Sequence, residues 1–150
     1  MRRGGVFALV LSLPQLAAAS SLTIELWPST DPSQTISCAI ALTAGRFLAV
    51  EVKGHGQPPL RPMQWYATEI EIAALNTALQ SLISGDLTAE AMQTTRMPAP
   101  PYFSATWLAN VDDRIAAGLY IQPGLTLPAP LSDMIMQLLP GGLCDRSLGL

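Results

Sequence analysis

The chain has 150 residues, of which 49% are hydrophobic and 13% charged, and its formal net charge is −3. That length suits one domain with a sizeable core. The acidity argues against a nucleic-acid partner, whose phosphates call for a basic surface, and points to no basic partner, because modest negative charge also serves solubility.

Arg2 and Arg3 precede the apolar run 6–13, which is followed by Pro14 and the small residues Ala17, Ala18, Ala19 and Ser20. This is the order of a secretory signal peptide, with cleavage expected after Ala19. The expected organisation is therefore a signal peptide over 1–19 and a single exported α+β domain over 20–150, periplasmic or secreted. The apolar run is too short for a bilayer core of ~30 Å, so no stable transmembrane anchor is expected after cleavage. Loss of Arg2 and Arg3 with the leader takes the net charge to −5. The two cysteines, Cys38 and Cys144, are expected to form a disulfide in an oxidising compartment. Idealised loop entropy for so long a closure is ~4–5 kcal/mol. Such a bridge would clamp the glycine-rich carboxyl end over the core.

In chain order, Leu22, Ile24 and Leu26 alternate with Thr23, Glu25 and Trp27 before Pro28, which predicts a first strand beside a central hairpin. Residues 29–34 read as a turn. Over 35–53, the rows Ile36, Cys38, Ile40, Leu42 and Leu48, Val50, Val52 share a face if Thr43, Ala44 and Gly45 form a three-residue loop. That register sets Ile40 opposite Leu48, Cys38 opposite Val50 and Ile36 opposite Val52, with Gly45 at positive φ. A two-residue loop would throw the rows onto opposite faces.

Residues 54–66 predict a long loop holding His55, Pro58, Pro59 and Pro62, a place where function can reside. Thr68 and Glu71 form a capping box. Ile72, Leu75, Leu79 and Leu82 recur at helical spacing, and Gly85 supplies the stop, so one main helix should cover the sheet. Residues 86–97 add at most a helical turn before Pro98, Pro100 and Pro101. Beyond them, Phe103, Ala105, Trp107, Ala109 and Val111 form one row and Ile115, Ala117, Leu119 and Ile121 another, with Asp112, Asp113 and Arg114 between. A helix capped by Ser104 competes with this hairpin, but the extended ends Tyr102-Phe103 and Leu119-Tyr120-Ile121 favour strands. Either form is expected to bury Trp107, Val111 and Ile115. Pro128 and Pro130 frame a rigid link, and Ser132 caps a short C-terminal helix carrying Met134, Ile135, Leu138 and Leu139.

The fold class expected is thus α+β: a small antiparallel sheet, one main covering helix and a short C-terminal helix. No catalytic, metal or cofactor constellation is legible. His55 has no neighbouring spacing of a structural zinc site, and Asp112 and Asp113 lie in no twelve-residue calcium pattern. Trp65, Tyr66, Tyr102 and Phe103, held beside proline-restricted backbone, are the candidate binding residues, since such aromatics recognise partners at low ordering cost. The expectation is a noncatalytic envelope binding or accessory domain, whose partner is an envelope protein or a small-molecule ligand. The alternatives are a small periplasmic hydrolase using His55 and a structural subunit of an envelope assembly. Oligomeric state is left open.

Overall fold

Six segments form strands, and the period-two alternation behind them is plainest in the first, where Leu22, Ile24 and Leu26 alternate with Thr23, Glu25 and Trp27. In the computed structural model, which describes residues 20–43, 46–54, 63–85, 97–111 and 114–138, these are β1 (Ser20–Trp27), β2 (Ile36–Leu42), β3 (Phe47–Gly54), β4 (Met63–Tyr66), β5 (Tyr102–Val111) and β6 (Arg114–Pro123). Two helices join them, α1 (Glu69–Ser84) and α2 (Ala129–Leu138). The strands form one antiparallel sheet in the order β4-β3-β2-β1-β5-β6. The fold is α+β, with both helices on one face.

The core lies between that face and the helices. Leu22, Ile24 and Leu26 of β1 pair with Ile40, Cys38 and Ile36 of β2 on one side and with Trp107, Ala105 and Phe103 of β5 on the other. All of these are buried, and they cluster with Leu75, Leu79 and Leu82 of α1 and Leu131, Met134 and Ile135 of α2. Each fully buried aliphatic side chain contributes about 1.5–3 kcal/mol, so these rows hold the sheet to the helices.

α1 forms where the sequence places it. The Thr68 hydroxyl accepts the Glu71 N–H at 3.3 Å while the Glu71 carboxylate accepts the Thr68 N–H at 2.7 Å. The helix closes on Gly85 at φ 71. α2 starts earlier than the sequence suggests. Pro128 C=O accepts the N–H groups of Leu131 and Ser132, so the helix opens at Ala129 and Ser132 lies inside it. Pro130 fits the first turn because that position needs no intrahelical N–H.

Both hairpins depart from the expected registers. In β2–β3 the observed pairs are Leu42 with Leu48, Ile40 with Val50, Cys38 with Val52 and Ile36 with Gly54, two residues along from the expected alignment. Thr43 N–H donates to Phe47 C=O, Arg46 N–H donates to Thr43 C=O, and Arg46 takes the positive φ of 63. A two-residue shift leaves every side chain on its expected face, which is why the burial pattern alone did not separate the registers. Gly54 is required by its new partner: a Cβ there would lie 2.5 Å from Thr35 C=O and 2.7 Å from Ile36 Cα.

In β5–β6 the difference changes the faces. Val111 pairs with Arg114 across two residues, so Trp107 faces Gly118 and Ala105 faces Tyr120. The odd-numbered row of β5 is inward, and its partners are the even-numbered residues of β6. Ile115 is 74% exposed rather than buried, because the two-residue connection reverses the parity that a three-residue one would have kept.

Part of the expected long loop is also a strand: β4 pairs with β3 through Leu48 and Trp65 and through Phe47 and Tyr66. Gly45, His55, Asp112, Asp113 and Cys144 lie outside the described residues, as does the side chain of Val111. Cys38 is buried on the inner face of β2, and its bridge to Cys144 stands as a proposal. No helix among the described residues is long and apolar enough to cross a membrane.

Candidate interaction surface

The four aromatic candidates are not brought together. β4 and β5 are four strand positions apart, which is about 19 Å at the usual strand spacing. Phe103 is fully buried on the inner face, with its ring 5.8 Å from that of Tyr120. Trp65 also faces inward, half-buried, and its indole N–H donates to Glu71 at 3.2 Å. Tyr102 is on the outer face but only 6% exposed, stacked on Trp27 at 5.9 Å. Burial, and then the charge of Glu25, push its phenol above the ordinary range. Only Tyr66 is openly exposed, and it packs on its cross-strand neighbour Phe47 with ring centroids 4.0 Å apart.

The outer face, opposite the helices, is polar or small at its centre. Thr23 and Glu25 of β1 and Ser37, Ala39 and Ala41 of β2 occupy it, all half-buried. The carboxylates there are engaged: Glu25 accepts the Trp27 indole N–H at 3.2 Å, and Glu51 pairs with Lys53 at 3.1 Å. Among the described residues no group of three or more His, Cys, Asp or Glu could hold a metal ion.

The β5–β6 end of this face is different. Leu108 of β5 sits opposite Ala117, and its diagonal neighbours on β6 are Ile115 and Leu119. Their exposures are 43%, 74% and 51%. Strands alternate their side chains, so Ala117 and Ile121 extend the same row. The result is a contiguous apolar surface at the margin of the sheet, with Thr106 and Asn110 beside it.

The sequence shows this row but not its direction. The missing signal is in the facing row: Ala116 and Gly118 are small where Tyr120 is large, and Gly118 makes room for Trp107. A Cβ on Gly118 would lie 2.3 Å from the indole ring, so only glycine fits opposite an inward Trp107 without displacing it. Comparison with protein-family models, with curated proteins and with solved structures gives no match.

Proposed function

We propose that this protein is a noncatalytic binding or accessory domain of the cell envelope, and that it engages an envelope protein through the outer face of β5 and β6. The observation that carries this reading is the exposure of Leu108, Ile115 and Leu119 as one apolar surface. Scattered exposed hydrophobics need no explanation, but contiguous ones mark interaction sites. Covering a half- to three-quarters-exposed Ile or Leu contributes on the order of 1–2 kcal/mol, so Ile115 and Leu119, with a smaller share from Leu108, supply the centre of an interface whose polar rim fixes its orientation. The leader-like order of residues 1–19 supports an encounter in the envelope.

Leu108→Asp tests this reading without touching the core or the strand edge. The variant should keep its melting temperature within about 2 °C, as exposed substitutions usually do. It should lose the protein that co-purifies with the unaltered chain from native envelopes. Retention of that protein at unchanged yield would overturn the assignment of the surface.

A further inference from the structure

The two edges of the sheet are built differently. β4 has four residues and lies beside Arg46, which pairs with Glu69, and near the pair Glu51 and Lys53. Short edge strands and nearby charge are what keep an edge from pairing with another chain. β6 has ten residues, no charge after Arg114, and its proline only at the last position, Pro123.

The hydrogen-bond phase of β6 is fixed by Gly124, whose N–H donates to Pro101 C=O at 2.8 Å. Pro101 and Gly124 continue the β5–β6 register, so the even-numbered residues of β6 bond to β5. The odd-numbered residues Ile115, Ala117, Leu119 and Ile121 therefore aim their N–H and C=O groups at the outer edge, where no described strand pairs with them. They are the same residues whose side chains form the outer apolar row.

We infer that β6 pairs with β6 of a second copy of this chain, antiparallel, about a two-fold axis perpendicular to the sheet. Such an axis pairs odd residues with odd, which preserves both the face and the hydrogen-bond phase. Centred on Gly118, it sets Ile115 opposite Ile121 of the second copy and Ala117 opposite Leu119. On the inner side it sets Ala116 opposite Tyr120. Alanine meets a large residue at Ala117 and at Ala116, Ile115 meets Ile121, and about eight edge hydrogen bonds form, two for each of the four odd pairs. The two Arg114 positions fall at opposite ends of the seam, ~27 Å apart at the usual rise per residue, whereas parallel pairing would set them side by side. The dimer is a continuous twelve-stranded sheet with its apolar rows merged along the seam.

This inference rests on the strand edge, whereas Leu108→Asp probes the outer face on β5, so the two can fail separately. Sedimentation equilibrium of the purified, cell-processed protein from 1 to about 200 μM is the test; transient interfaces of this kind fall in that range. The unaltered chain should reach twice its monomer mass. Ala117→Pro removes an edge N–H that no described residue accepts, a change edge strands tolerate, and Ala117→Lys adds a charge to an exposed edge position. Each should weaken the dimer at least tenfold while melting cooperatively. A monomer mass throughout the range, or a dimer that persists in folded Ala117→Lys, would overturn the inference. So would capture of an extended segment of a different protein at β6 by a chain that is itself monomeric.

Discussion

Gly118→Ala is a small substitution with a large expected effect. Gly118 is not at positive φ, so its backbone suits alanine, and lower entropy of the unfolded chain would by itself favour the variant by about 0.4–1 kcal/mol. Sterics oppose this. The new methyl carbon would lie 2.3, 2.6 and 2.9 Å from three carbons of the Trp107 indole, against an ordinary carbon contact of about 3.5–4.0 Å. The ring must move by roughly 1 Å to restore that spacing, and it is 7% exposed within the core. Its indole N–H has no hydrogen-bond partner among the described residues, so packing is what resists the movement there. Overpacking of this kind costs about 1–3 kcal/mol, which is roughly 3–12 °C in melting temperature for a domain of this size. Urea denaturation followed by circular dichroism should show the loss. In a Trp107→Leu background the same substitution should be neutral or stabilising, giving a coupling of about 1–3 kcal/mol. A neutral or stabilising Gly118→Ala in the unaltered chain would refute the pairing of Gly118 with Trp107, and with it the outward direction of Ile115 and Leu119.

Val50 is 1% exposed, so Val50→Asp should cost several kcal/mol by burying an unpaired group, whereas Glu51→Asp on the outer face should be mild; comparable urea midpoints would contradict the assigned faces. Thr68→Ala removes half of the capping box of α1 and should cost about 1 kcal/mol, read as a lower midpoint with an unchanged urea slope. Tyr102 has its phenol raised by burial and by Glu25; its stabilising contribution is complete below the unfolded phenol pKa of about 10 and is lost as pH rises through the higher folded value. Alkaline melting curves should show that loss in the unaltered chain and less of it in Tyr102→Phe.

The sequence carries the parts of this fold that depend on local chemistry. Thr68, Glu71 and Gly85 specify both ends of α1 through groups within one turn of each other. The alternation in β1, β2 and β3 specifies their inward faces, because each apolar row has only one way to reach the core. Register is less local. In β2–β3 the expected and observed alignments bury the same residues, so the alternation cannot choose between them, and Arg46 takes a positive φ in the observed turn. In β5–β6 two apolar rows compete for the inner face, and the connection between Val111 and Arg114 decides which wins.

The same reasoning explains the candidate surface. Trp65, Tyr66, Tyr102 and Phe103 lie in two short stretches of sequence, but neighbouring residues in a strand point to opposite faces. Trp65 and Phe103 turn inward, while Tyr66 and Tyr102 turn outward on strands four positions apart. The exposed apolar row of β6 reads as core in the sequence, because an alternating run carries no mark of which face it meets. Its edge position follows only from the strand order, which is set by long-range pairing of β5 with β1.

Site-specific photocrosslinking in the native envelope tests the proposed surface most directly, with the reactive side chain placed at Leu108 in one chain and at Tyr66 in another. The apolar surface on β5 and β6 predicts a discrete adduct with an envelope protein from position 108 and none from position 66. An adduct from position 66 with none from position 108 would contradict it and move the binding surface to the opposite edge of the sheet.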